Sequence, residues 1–253
     1  MTADGTRRVL VIGGTSHIGR AVVERLSRSG DRVVFNGRST ERGNALAEAT
    51  GAHFIAGDFN RQQAPDRMVA ETLQMIHGLD GLVLGAGLLH TARISETTDA
   101  AWDQVIETNL IAPFRIAKAA MPALAESGGS IVTIASGTAV RTEFELGAYS
   151  AAKRAVLWLT NMLAVEGGPS GITANTVCPG DLPEGMRSIA DAPQVRDLGP
   201  APVPPTGKPV AADDVARAVD FLLCKGASSV SGAALTVDGA MRSALRAGKV
   251  HQP

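Results

Sequence analysis

Tyr149 is the only tyrosine among 253 residues. Lys153 follows four positions later, in Tyr149-Ser150-Ala151-Ala152-Lys153. The alanine content of that stretch predicts helix, which places both side chains on one face. A phenol beside an ammonium can give or take a proton. The ordinary phenol pKa lies near ~10, and bringing it to about 7 takes ~4 kcal/mol. One ammonium at about 4 Å, with an effective dielectric of about 20, supplies ~4 kcal/mol. Burial opposes that effect. The chain holds five lysines, so chance would set one at this offset about 2% of the time. A structural tyrosine beside a solvated lysine is the alternative. It explains neither the spacing nor Ser136, which ends an apolar run upstream.

A second set of residues suits phosphate. An apolar run at 8–12 leads into Gly13-Gly14-Thr15-Ser16-His17-Ile18-Gly19 and then a helical pattern. Glycines at a strand-to-helix turn let the backbone approach a pyrophosphate, and the helix start offers N–H groups and a favourable dipole. Tight strand–helix packing is the bland explanation of the same glycines. The next apolar run ends Asn36-Gly37-Arg38, with no acid at 36–38 to hold the ribose hydroxyls of NAD. Arg38 can pair with a 2′-phosphate, which favours NADP(H) over NAD(H). Arg42 is a weaker second candidate, and a solvated surface arginine is the alternative.

The elements that must position these groups alternate along the chain. Strands are expected at 8–12, 32–36, 52–56, 81–84, 130–134, 173–177 and 233–237. Helices are expected at about 18–29, 40–50, 64–77, 100–126, 148–167 and 211–225. Most of the strand runs are continuously apolar, as a parallel sheet covered on both faces requires. The alternation predicts an α/β fold of the Rossmann type, a doubly wound parallel sheet of about seven strands with helices on both faces. No linker divides the chain, so 1–253 reads as a single dinucleotide-binding domain with an integral substrate site. Residues 181–209 carry seven of the thirteen prolines. They begin at a strand's carboxyl end, where ligands bind in open α/β sheets, and read as a substrate lid rather than a plain surface loop.

Composition excludes other classes. With 24 basic and 25 acidic side chains the formal net charge is −1, which argues against nucleic acid or an anionic membrane as partner. Cys178 and Cys224 are too few for a disulfide scaffold and lack metal-ligand spacing, so no metal is expected and a reducing compartment is. The apolar run after Arg7 and Arg8 is too short for a signal peptide. Nothing approaches a membrane span, and a soluble cytoplasmic protein is expected.

The sequence resembles the short-chain dehydrogenase/reductase family, in its short single-domain branch, from Arg8 to about Met241. The family's glycine-rich turn falls on residues 13–19, including Gly13, Thr15, Ser16, His17, Ile18 and Gly19. Its adenine-contacting Asp falls on Asp58, in Gly57-Asp58-Phe59. Its fourth-strand motif falls on Leu84-Gly85-Ala86-Gly87. Its Asn, Ser, Tyr and Lys fall on Asn109, Ser136, Tyr149 and Lys153. Its Pro-Gly falls on Pro179-Gly180, shortly before Leu182, and Val237-Asp238-Gly239 is typical of its end. The resemblance implies interconversion of a carbonyl and an alcohol, with Tyr149 as general acid or base and Ser136 polarising the substrate oxygen. It implies that Lys153 also binds the nicotinamide ribose, and that the Asn109 carbonyl holds a water linking Lys153 to solvent. Pro113 lacks an N–H, so Asn109 loses its normal partner and a kink at 109–113 is expected.

Three of the motifs depart from the pattern. Ile12 and His17 replace a Thr and a Gly at the first turn. Leu84-Gly85 replaces an Asn pair, and Glu184 stands where a Thr is usual. His17 either points outward or touches phosphate. Pocket walls are expected from Leu88, Leu89, His90, Arg93, Val140, Arg141, Phe144, Leu146, Leu182, Met186 and Arg187. A substrate carboxylate could bind Arg93, Arg141 or Arg187, or these could be surface residues. The altered motifs keep open a noncatalytic NADP-binding sensor or scaffold, and a lyase or isomerase on the same fold. The resemblance further implies a homodimer or homotetramer formed through the helices at 100–126 and 148–167. Residues 242–253 are polar and basic, either a flexible tail or a cover for a neighbour.

Overall fold

The computed structural model describes residues 5–183 and 203–243. Seven parallel strands form one sheet: β1 (Arg8–Ile12), β2 (Arg32–Gly37), β3 (His53–Ala56), β4 (Gly81–Leu84), β5 (Ser130–Ile134), β6 (Thr173–Pro179) and β7 (Ala234–Val237). Their order is β3-β2-β1-β4-β5-β6-β7. The chain builds outward from β1 to β3, then returns to start β4 on the other side of β1. That reversal opens a crevice above the carboxyl ends of β1 and β4, where open α/β sheets bind ligands.

Alternation along the strands divides the core. Leu10 and Ile12 face one side with helices α3 (Ala64–Ile76) and α5 (Ala112–Ser127). Val9 and Val11 face the other, against α1 (His17–Arg28), α2 (Thr40–Thr50) and α7 (Ala212–Leu223). The inner strands β1, β2, β4 and β5 are therefore apolar on both faces, and the period-2 geometry of a strand sends neighbours to opposite layers.

Two elements differ from expectation. β6 runs two residues beyond 177, because Cys178 and Pro179 still pair with Thr236 and Val237. The helix expected over 100–126 contains α4 (Asp99–Ile106), a five-residue π segment at Glu107–Ile111, and α5. The Ala112 N–H bonds to the Glu107 carbonyl, five residues back. Pro113 can donate to nothing, so the ladder is interrupted at this point and the π turn takes up the mismatch.

Helix α6 (Gly147–Gly167) presents Tyr149, Ala152, Lys153, Val156, Leu157, Thr160 and Leu163 inward. These recur at helical spacing, so the Tyr149–Lys153 pair belongs to the stripe that packs on the sheet. Trp158, Met162 and Val165 lie on the opposite, exposed face. The glutamate at 184 and the pocket candidates Met186 and Arg187 lie outside the described residues, as do 184–202 of the proline-rich segment and 244–253 of the tail. Among the described residues no helix is long and apolar enough to cross a membrane, and no group of His, Cys, Asp and Glu could hold a metal ion.

Candidate active site

The crevice has two lobes. The first encloses about 860 Å³ and is lined by Ser136, Tyr149, Lys153, Pro179, Gly180 and Leu182, among others. The second encloses about 960 Å³ and is lined by Gly13, Thr15, Arg38, Asp58, Phe59 and Ala86, among others. Ser16 and Gly87 line both, so the lobes meet above the turn that follows β1.

That turn is built for close approach. Gly13 has φ 81°, and a Cβ there would come within 2.8 Å of the Ala86 backbone. A Cβ on Gly19 would lie 2.1 Å from the Gly13 carbonyl oxygen. Only glycine permits this turn to fold under the start of α1. Ser16 caps the helix, its Oγ accepting from the Gly19 N–H at 3.1 Å. The first-turn N–H groups of a helix have no intrahelical partner and point at whatever sits above them. His17 is exposed yet lines the first lobe, and Ile18 lines it beside His17. Ile12 and Leu84 are buried in the core, where their Thr and Asn counterparts would have been polar.

The second lobe carries both signs of charge. Arg38 and Arg42 both line it, and both are exposed. Asn36 is buried, and its amide donates to the carbonyls of Ile55 and Gly57, each at 3.0 Å. This ties the end of β3 to the end of β2 and sets Asp58 at the lobe wall. The Asp58 carboxylate accepts from the Asn60 N–H at 3.1 Å. Phe59 lines the lobe with one edge while most of the ring is in the core. A glycine-built turn, an open helix start, two arginines and a two-lobed crevice together fit a phosphorylated dinucleotide.

In the first lobe, Ser136 sits just past β5 with extended backbone, φ −167°. Its Oγ accepts from the Thr138 N–H at 3.2 Å and from Thr138 Oγ1 at 3.1 Å. It is near enough to the Tyr149 hydroxyl to lower its pKa. Two donors on the Ser136 oxygen leave its own proton for a group in the lobe. Lys153 is 3% exposed, and its Nζ donates to the Ile134 carbonyl at 3.1 Å. It lies 5.7 Å from the centre of the Tyr149 ring. Thr160 Oγ1 and Thr133 Oγ1, 2.9 Å apart, make a second tie between α6 and β5. These two ties fix the register of the catalytic helix on the sheet.

The protonation states differ from the arithmetic based on charge alone. Burial pushes Tyr149 up to about 12, partly offset by Ser136 and reinforced by the charges of Asp181 and Glu143. Burial pulls Lys153 down to about 8. Burial is the largest cause in both cases, and Lys153 is not among the groups that shift Tyr149.

Asn109 is fully buried behind the lobe and lines neither cavity. Its amide donates to the carbonyls of Leu88 and Val105, each at 2.9 Å, and its Oδ1 accepts from the Leu88 N–H at 3.2 Å. The side chain thus pins the loop after β4 to the π segment. Among the expected pocket walls, Leu89, Leu146 and Leu182 line the first lobe and Leu88 lines the second. Arg93 instead lies 3.9 Å from Glu145 and 5.6 Å from the ring of Phe144, which is exposed. Sequence reasoning missed Thr138, Glu143 and Asp181. The Ser136-Gly137-Thr138 spacing, which allows a hydroxyl two residues on to reach back, was the available signal for the first. Nothing local marked the other two.

Similarity to known proteins matches this geometry. A family model described as enoyl-(acyl carrier protein) reductase matches residues 13–242. A 3β-hydroxysteroid dehydrogenase of Mediterraneibacter gnavus is 37% identical over 191 residues, 72% of this chain and 69% of that protein. A 3-oxoacyl-[acyl-carrier-protein] reductase of Escherichia coli is 32% identical over 236 residues, 92% of this chain and 96% of that one. A crystal structure of a 3-ketoacyl-(acyl-carrier-protein) reductase from Brucella melitensis complexed with NADH superposes with a TM-score of 0.83 at 26% identity, covering 92% and 97% of the two chains. Fold, crevice and sequence agree that the chain belongs to the short-chain dehydrogenase/reductase family and is an oxidoreductase of carbonyl and alcohol groups that uses a nicotinamide cofactor.

Proposed function

We propose that this protein interconverts a carbonyl and an alcohol using NADP(H), with Tyr149 as the proton donor in reduction. The observation that carries this reading is the Ser136 hydroxyl, held by Thr138, on the same wall of the first lobe as the buried Tyr149 and Lys153. When bound, the nicotinamide ring supplies or takes the hydride. At neutral pH Tyr149 is protonated, which is the state that gives a proton to the oxygen of a carbonyl accepting hydride. Ser136 holds that oxygen, and its polarisation by Thr138 strengthens the bond it donates. Lys153, held beneath the ring, serves the ribose hydroxyls and the charge of the phenolate in the oxidative direction. Asn109 keeps the β4 loop, and with it Ala86 and Gly87, against the cofactor.

The preference for NADP(H) rests on Arg38 and Arg42, since the Brucella neighbour was solved with NADH. Gly13, Thr15, Ser16, His17, Ile18 and Gly19 would cradle the phosphates. Asp58 and Phe59 would border the adenine, and Pro179, Gly180 and Leu182 the nicotinamide. Exposed Phe114, Trp158, Met162 and Val165 on α5 and α6 support a homodimer or homotetramer. Cys178 and Cys224 are both free thiols, as a cytoplasmic setting favours.

The test is a carbonyl panel followed by nicotinamide absorbance, with NADPH and NADH in parallel. Cofactor oxidation that depends on the carbonyl, with the lower KM for NADPH, supports the reading. Tight NADPH binding with no turnover of any carbonyl or alcohol would favour the sensor alternative.

A further inference from the structure

A chain of side-chain bonds joins the two lobes of the crevice. Asp58, Phe59 and Asn60 follow β3 and line the second lobe. The Asp58 carboxylate accepts from the Asn60 N–H at 3.1 Å. The Asn60 amide then donates to Thr108 Oγ1 at 3.0 Å, across 48 positions of sequence. Thr108 is buried, borders the same lobe and belongs to the π segment Glu107–Ile111. Its neighbour Asn109 holds both the N–H and the carbonyl of Leu88. Leu88 lines the second lobe, Gly87 lines both and Leu89 lines the first.

Thr108 uses its hydroxyl differently from three other helical threonines. Thr50, Thr72 and Thr160 return theirs to the carbonyls of Leu46, Met68 and Val156, four residues back, at 2.7, 2.7 and 2.8 Å. That is the ordinary local bond of a threonine inside a helix. Thr108 Oγ1 instead accepts from a loop at the far side of the cofactor lobe.

The π turn makes this bond consequential. Its backbone bond reaches five residues back, from Ala112 to Glu107. A π turn and an α turn differ by one residue, and a one-residue shift rotates helical side chains by about 100°. Such a shift would carry Thr108 and Asn109 off their partners. Three separate parts of the chain oppose it: Arg115 pairs with Glu107, Asn60 with Thr108, and Leu88 with Asn109.

Resting on the oxidoreductase reading above, we propose that Asn60 and Thr108 are positioning residues for hydride transfer: their bond relays the seating of the cofactor's adenosine half to Asn109 and the 87–89 loop at the catalytic lobe. Neither touches the reacting atoms. A nucleotide seated against Asp58 and Phe59 restrains the loop that carries Asn60. Asn60 holds the π turn, and the π turn holds Leu88. Binding energy at the non-reacting end of the cofactor thereby fixes geometry at the reacting end. The relay is a contiguous set of bonds through a segment with two discrete arrangements.

The test starts from NADPH and a carbonyl that the panel identifies. Asn60→Ala and Thr108→Val each delete the bond. Each should lower kcat about fivefold, while NADPH affinity, read by fluorescence titration, stays within about threefold of wild type. The double variant should lose no more than either single one, because one bond is at stake. Thr108→Ser keeps the hydroxyl and should hold the wild-type kcat. A second arm divides the cofactor. Adenosine 2′-phosphate should raise wild-type turnover of reduced nicotinamide mononucleotide about fivefold, and Asn60→Ala should abolish that activation. An unmoved kcat, losses that add in the double variant, or a defect confined to NADPH affinity overturns this proposal alone. So does activation by adenosine 2′-phosphate that is absent in the wild type or equal in Asn60→Ala. No oxidation of NADPH with any carbonyl overturns the oxidoreductase reading and this one together.

Discussion

Tyr149 and Lys153 in the catalytic lobe are 7% and 3% exposed, whereas Arg38 and Arg42 in the neighbouring lobe lie open to solvent. The first pair lies on one face of α6 packed on the sheet, with Lys153 bonded to the Ile134 carbonyl. The second pair stands at the end of β2 and the start of α2. Burial amplifies every charge effect on the first pair and displaces both pKa values. Solvent screens the second, so each arginine acts chiefly by adding charge and donors to a bound phosphate. Changes at the buried pair should therefore be large and coupled to stability, and changes at the exposed pair should be smaller and confined to cofactor choice.

The sharpest way to break that contrast is Lys153→Met. Activity should fall at least ~100-fold, because proton transfer and ribose binding both suffer. Stability should move the other way. The folded pKa of Lys153, about 8, lies below its ordinary 10.5, so folding disfavours the charged form. That penalty is fully present below pH 8 and is relieved as pH rises from 8 toward 10.5. Removing it should stabilise the fold at neutral pH by roughly 3 kcal/mol, with the gain vanishing at high pH. Denaturant unfolding at several pH values reads this. A destabilised Lys153→Met would mean that the bond to Ile134 outweighs desolvation.

Arg38→Ala should raise the KM for NADPH by about 10- to 100-fold and leave that for NADH nearly unchanged, in steady-state assays with both cofactors. Arg42→Ala should show the same selectivity with a smaller loss. Equal losses for both cofactors would remove the 2′-phosphate role and the contrast with it. The smallest effect is expected at Thr138→Val. It deletes the Oγ1 donor to Ser136 but keeps the backbone N–H, so kcat should drop about fivefold with cofactor KM unchanged. A change confined to cofactor KM would contradict the proposed hydrogen-bond chain.

What the sequence made legible follows the same divide between local and long-range causes. The i,i+4 spacing of Tyr149 and Lys153 is a covalent fact, and one helix face realises it. The covalent lack of an N–H on Pro113 likewise foretold an interrupted helix. Its form, a π turn at Glu107–Ile111, depends on packing between α4 and α5 that no local pattern carries. The two-sided apolar strands foretold a sheet covered on both faces, whereas the order β3-β2-β1-β4-β5-β6-β7 is a long-range property that no local pattern carries. Charge alone places the tyrosine pKa too low, because the depth of burial that raises it is set by the folded chain and not by local spacing. Glu143 and Asp181 were invisible for a related reason. They come from segments after β5 and β6 that meet only in the folded chain, and a lone acid in a loop carries no periodicity.

Binding and turnover measured side by side in Tyr149→Phe test the central claim most directly. This chain has a single phenol, so no other tyrosine can substitute. NADPH affinity, read by fluorescence titration, should stay within about threefold of wild type, since one neutral hydrogen bond at most is lost. Carbonyl-dependent oxidation of NADPH should fall by a factor on the order of 10² to 10⁴. Turnover retained near the wild-type rate would contradict Tyr149 as the proton donor and the reading of the whole lobe.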